Sequence, residues 1–208
     1  MPEVNSVCAR VQEYLDMTYR PVGVKLIMPG EALQDGRYDE ITGPQTFCRF
    51  VHDAAKGHNY LVTADNLDCK HALAALGLGE AGTAIEPRLK QKIGALRVGP
   101  VENADVLLLV VNAEQAMMLT HIVADIRVST ARSRTVCGQG VASVYNDKKP
   151  VISFLCLGAR TRGGFNKHEL LASFPYAVFL TLPLKMNKLA AFSKAMGDAI
   201  KKKILRIR

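Results

Sequence analysis

The sequence contains no tryptophan, and aromatic residues make up only 6% of its 208 positions. Its core must therefore be filled by Leu, Val, Ile and Ala, within an apolar fraction of 49%. No apolar run approaches the roughly 20 residues that a membrane-spanning helix needs. The longest, Val106 to Val111, is far too short. The opening segment, Met1 to Arg10, lacks a basic region followed by an apolar stretch, so no export signal is expected and a cytoplasmic setting is. Cys-x-x-Cys is also absent, which removes the usual signature of zinc ribbons and ferredoxins. The cysteine count is five, an odd number that does not complete a disulfide framework.

The charge balance is basic, at +8 with a pI near 9.3. That excess admits anionic ligands, acidic proteins and anionic lipid as partners. Much of it lies at the C-terminus, in Lys201, Lys202, Lys203, Arg206 and Arg208. The rest is scattered, which argues against a nucleic-acid interface. The C-terminal segment from Lys185 to Arg208 reads as a basic helix with Leu189, Phe192, Met196, Ile200 and Ile204 at helical spacing. It is expected to pack on the domain, and a membrane surface is its weaker alternative. The sequence leaves self-association into a homo-oligomer open.

Periodicity and punctuation predict an α+β domain over 1–208, with a mixed sheet and an α/β build as the variant. Helices are expected over Val4–Tyr19, Thr46–Lys56, Asp68–Leu78, Ala113–Val123 and His168–Ser173, with a helical turn over Pro87–Lys92. Strands are expected over Val22–Met28, Tyr60–Thr63 and Asp105–Val111. Val141–Tyr145 and Val151–Leu155, flanking the turn formers Asn146 to Pro150, predict a hairpin. Two halves, about 20–100 and 101–175, resemble each other. Val24-Lys25-Leu26-Ile27 parallels Val106-Leu107-Leu108-Leu109, and Thr46-Phe47-Cys48 parallels Thr135-Val136-Cys137. Cys69 then parallels Cys156. A duplicated unit would bring the four cysteines toward one axis.

Those four cysteines, Cys48, Cys69, Cys137 and Cys156, are the main candidate site. Thiolates are the ligands of soft metals, and four is the number that an iron–sulfur cluster or zinc takes. A 4Fe–4S cluster is the expected cofactor and zinc the lesser one. Gly138, Gly140 and Gly158 follow the later pair and would let backbone N–H groups approach sulfur. Arg160, near Cys156, and Lys25, inside an apolar strand, are candidates for holding the cofactor or an anionic substrate. Arg127, Arg132, Arg134 and Arg162 belong to the same basic neighbourhood. His71 is a substitute ligand, and His52 and His58 are weaker candidates. Gly77 to Gly82 fits G-x-G-x-x-G but follows a helical pattern, so it reads as a helix end rather than a dinucleotide loop.

Three segments carry a family resemblance. Arg20-Pro21-Val22-Gly23-Val24-Lys25-Leu26 lies near the start. Thr63-Ala64-Asp65-Asn66-Leu67-Asp68-Cys69 is followed by Ala75-Leu76-Gly77-Leu78-Gly79, and Phe154-Leu155-Cys156-Leu157-Gly158-Ala159-Arg160 comes late. Together they resemble domain-of-unknown-function family 169, an uncharacterised family of anaerobic bacteria and archaea. The resemblance implies that Cys48, Cys69, Cys137 and Cys156 lie in motif segments and Cys8 outside them. It brings no reaction, and its anaerobic setting favours an oxygen-sensitive cluster. The expected function is redox chemistry or electron transfer on a small anionic molecule, with a redox protein as partner. The alternatives are a non-catalytic anion-binding scaffold and a thiol-dependent enzyme.

Overall fold

The computed structural model describes residues 3–32, 37–79, 85–129 and 135–188. Seven strands form one sheet in the order β2-β3-β1-β4-β7-β6-β5. They are β1 (Val22–Ile27), β2 (Tyr60–Val62), β3 (Ala95–Gly99), β4 (Val106–Val111), β5 (Arg127–Ser129), β6 (Val151–Phe154) and β7 (Leu170–Pro175). The helices are α1 (Val4–Leu15), α2 (Phe47–Ala54), α3 (Lys70–Ala75), α4 (Ala113–Ile122), α5 (Val136–Asp147), α6 (Leu157–Thr161) and α7 (Tyr176–Phe179). Strand pairs are antiparallel except β5 with β6, so the α+β expectation is met by a mixed sheet.

The alternation of strand side chains sorts the core into two layers. Val22, Val24, Leu26, Val106, Leu108, Val110 and Leu171 face α2, α3, α5 and α6. Leu107, Leu109, Val111, Ala172 and Phe174 face α1, α4 and α7. β4 is buried along its whole length because helices cover both faces, which is why it reads as an unbroken apolar run. Among the described residues no helix is long and apolar enough to cross a membrane.

Six of the seven strands are arranged alike on the two sides of the centre, and β5 is the extra edge strand. β1 and β4 pair antiparallel, with Val24 opposite Val106. Outward from β1 come β3 and β2; outward from β4 come β7 and β6. The helices follow suit: α2 meets α5 across the centre, α3 packs on α5, and α6 packs on α2.

Several sequence expectations are corrected. The predicted hairpin strand Val141–Tyr145 is part of the helix α5. Its turn formers end that helix instead, with Lys148 at φ 53° as the C-cap. Gly138 and Gly140 weaken the helical signal there, and close packing explains one of them. A Cβ on Gly140 would lie 2.9 Å from the Ser173 hydroxyl of β7. The predicted helix His168–Ser173 is largely strand β7, since a short apolar run before proline fits either element. β3 carried no prediction, and Pro87–Lys92 forms no helix. α1 stops at Leu15 rather than Tyr19, because Asp16 at φ 49° turns the chain and donates its N–H to Gln12 and Glu13. The basic C-terminal helix from residue 189 on, Gly82 and the arginines at 132 and 134 lie outside the described residues.

β1 also runs hard against the segment after β3. A Cβ on Gly23 would sit 1.9 Å from the Pro100 carbonyl oxygen, a backbone atom with no rotamer to yield. Gly23→Ala should destabilise the chain by about 2–3 kcal/mol or more. A shift in the urea midpoint measures it, and an unchanged midpoint would refute the packing described here.

Candidate functional site

All four candidate cysteines stand where a helix begins, on one face of the sheet. Thr46 caps α2, its hydroxyl oxygen accepting the Arg49 N–H at 3.2 Å, and Cys48 is the second residue of that helix. Thr135 occupies the same place before α5, and Cys137 is again the second residue. Cys69 and Cys156 are the N-cap residues of α3 and α6. Cys8 lies in α1 on the opposite face, among the other core cluster.

The contact between α2 and α5 brings Cys48 and Cys137 together, and α6 delivers Cys156 to the same point. The three thiols are near neighbours, with Cys48 interacting with both Cys156 and Cys137. Backbone amides converge on the sulfurs as well. The Cys137 N–H points at the Cys48 sulfur, and those of Val136 and Ala159 at the Cys156 sulfur.

The electrostatics follow from these contacts. The hydrogen bond to Cys137 holds the Cys48 thiol well above the usual range, and burial adds to this; the thiol of Cys156 and the Cys137 amide pull the other way. The hydrogen bond to Cys48 and then burial push Cys156 up, while the two amides oppose the rise. Without an added cation the Cys48 and Cys156 thiols stay protonated. Each already has a donor aimed at the place where a thiolate charge would form. Gly163 makes the packing possible, since a Cβ there would lie 2.5 Å from the Ala159 carbonyl and 2.9 Å from the Cys48 Cβ.

Cys69 packs at the edge of the same core cluster, partly buried. Among the described residues, no group of three or more His, Cys, Asp or Glu side chains is arranged to hold a metal ion as the side chains stand.

The remaining sequence candidates are placed elsewhere. Lys25 alternates out of phase with Val24 and Leu26, so it faces away from the cysteines and pairs with Asp105 at 3.2 Å. Arg160 donates to the carbonyl oxygens of Asn166 and Glu169, bracing the loop after α6. Arg127 pairs with Asp147 and His58 with Asp39. His71 lies in α3.

Sequence reasoning missed a buried polar network beneath the site. His52, one helical turn after Cys48, is 3% exposed. Its Nε2 lies 3.4 Å from the Tyr19 hydroxyl, and burial followed by the nearby Glu169 raises the Tyr19 pKa. Glu169 accepts from the backbone N–H and side-chain amide of Asn166 at 2.6 and 3.0 Å. Phe165 packs against His52 at a tilt of 49°, with ring centres 4.8 Å apart. The spacing of His52 four residues after Cys48 is the signal that could have found it.

The family model for domain-of-unknown-function family 169, described as an uncharacterised ArCR, matches residues 10–93 and 82–182. The chain belongs to that family. No curated protein and no solved structure matches it.

Burial, followed by the Lys56 charge, lowers the His52 pKa from its ordinary 6.5. The unfolded chain therefore binds a proton that the folded chain resists. The stability from neutral His52 is complete above pH 6.5 and is lost as pH falls below it. Urea unfolding at pH 7.5 and 5.5 should show a loss of stability in the native chain that is smaller in His52→Gln. An equal loss in both would show that His52 does not carry it.

Proposed function

We propose that Cys48, Cys137 and Cys156, with Cys69 as the fourth ligand, form a thiolate centre for a soft metal. The redox-capable occupant is a 4Fe–4S cluster, and zinc would use the same ligands. The observation that carries this reading is the meeting of Cys48 with both Cys137 and Cys156 at the junction of three helices. Backbone N–H groups beside the Cys48 and Cys156 sulfurs are the kind of outer support that a thiolate–metal bond uses.

The symmetry of the sheet supports Cys69. We read β1-α2-β2-α3-β3 and β4-α5-β6-α6-β7 as two copies of one unit. Cys48 then corresponds to Cys137 and Cys69 to Cys156, and the offsets are 89 and 87 residues. Under that correspondence Cys69 approaches Cys137 as Cys156 approaches Cys48. The contact of Leu76 and Ala75, at the end of α3, with the Gly138 position agrees with it, because Gly163 beside Cys48 is the matching contact after α6.

Spacing bears on the occupant. Four sulfurs about 2.3 Å from one zinc lie about 3.8 Å apart, close to thiol–thiol contact. A cubane cluster needs wider spacing, so it would require the side chains to swing outward. Either metal would displace the thiol protons, and the amides already in place would share the thiolate charge.

A second reading is favoured by the same contact. Cys48 and Cys137, or Cys48 and Cys156, would form a disulfide with loss of two electrons and two protons to an oxidant such as a disulfide partner. That reading needs no metal, which suits the side-chain arrangement as it stands.

Iron, acid-labile sulfide and zinc per chain, measured on anaerobically purified protein, test the proposal. Cys48→Ser, Cys137→Ser, Cys156→Ser and Cys69→Ser should each abolish the bound metal, and Cys8→Ser, on the far face of the sheet, should leave it intact. A chain that stays metal-free after reconstitution with iron and sulfide or with zinc removes the metal reading. Loss of two hydrogens per chain on mild oxidation, mapped to Cys48, would then support the disulfide.

A further inference from the structure

A small cleft opens beside the cysteine centre, and its wall is drawn from the segments that carry three of the four cysteines. It is a shallow, open depression of about 320 Å³ lined by Pro44, Gln45, Thr46, Arg49, Asp68 and Arg162. Thr46 and Arg49 flank Cys48, Asp68 precedes Cys69, and Arg162 follows the helix that Cys156 caps. Two backbone ties fix the floor: the Gln45 N–H donates to Asn66 at 2.8 Å and the Asp68 N–H to Gln45 at 3.0 Å.

We propose that this cleft binds a small oxyanion, a carboxylate or a phosphate-type group, held between the guanidinium groups of Arg49 and Arg162 over the start of α2. As the substrate position of the cysteine centre it rests on the reading above; as an anion site it stands on its own residues.

Each arginine is already held in place by one nitrogen. Arg49 Nε pairs with Asp53 at 2.6 Å, and Arg162 Nη1 pairs with Asp68 at 3.0 Å. A guanidinium has five N–H donors, so each keeps an edge free for a second acceptor, and the pairing pre-orients it. Thr46 adds a buried donor. Its residue is 6% exposed, its oxygen accepts the Arg49 N–H, and its hydroxyl proton remains available to a ligand. The eight-residue helix α2 begins at this wall, since its cap Thr46 lines the cleft. Asp68 is the one carboxylate in the lining and opposes an anion, so it limits affinity and favours a small ligand of low charge.

Calorimetric titration of the purified chain with inorganic phosphate at low ionic strength tests this. Saturable binding is expected, weakened at least about tenfold by Arg49→Gln and by Arg162→Gln, since each removes a charge-assisted contact. Asp68→Asn should bind phosphate more tightly, an outcome that misfolding would not give. Absence of saturable binding, or equal affinity in the Arg49→Gln/Arg162→Gln double variant, would overturn the site. The same titration on Cys48→Ser/Cys137→Ser separates the two proposals. Phosphate binding that persists there, with the metal lost, leaves the cleft standing whatever the cysteines hold. Metal retained in the native chain without phosphate binding removes the cleft alone.

Discussion

The antiparallel pairing of β1 with β4 is the constraint on which the rest of this structure depends. It sets Val24 against Val106 at the middle of the sheet. α2, which follows β1, and α5, which follows β5, pack on the same face of that sheet and meet. Each of them opens with threonine two residues before cysteine, so the meeting of helices is a meeting of thiols. A slip of one residue at this pairing would turn every side chain of one half to the other face and part Cys48 from Cys137.

The energetic cost of that meeting explains its surroundings. Polar sulfur groups buried in an apolar layer need partners, and here they find one another and the amides of Cys137, Val136 and Ala159. The packing that achieves this is tight enough to exclude side chains at Gly163, and at Gly140 where α5 lies on β7. Charged groups are kept outside this layer. Lys25 turns to the other face, Arg160 is spent on loop carbonyls, and Arg49 and Arg162 are drawn to the rim by Asp53 and Asp68. The result is a thiol cluster in an apolar layer, with the ion pairs kept outside it.

The helices and strands with clear periodicity were legible from residue order. α1, α2, α4 and β4 each carry a cap or an uninterrupted pattern, and all four formed near their expected positions. The failures fell where two patterns compete. Val141 to Tyr145 alternates as a strand does, yet three-dimensional packing on β7 and α3 holds it as helix. Residues 170–175 are apolar and end in proline, and only pairing with β4 and β6 makes them a strand. Among the site residues, the cysteines were visible through their matching Thr-x-Cys segments. His52 was visible only as a weaker candidate near Cys48, and Tyr19 and Glu169 were not, because they lie far from it in sequence and share no local signal with it.

The amino-acid sequence by itself determined which residues could carry chemistry: five thiols without a Cys-x-x-Cys pair, a scattered basic excess and two similar strand–helix segments. It also determined the family, since that resemblance rests on contiguous motifs. Only the tertiary structure decided that Cys48 neighbours Cys137 and Cys156 while Cys8 lies on the other face, and that Lys25 pairs with Asp105 and Arg160 with loop carbonyls. The reason is physical. Local order fixes a side chain's element and phase along it, but the face it reaches depends on strand register and helix packing, and these are properties of the whole sheet.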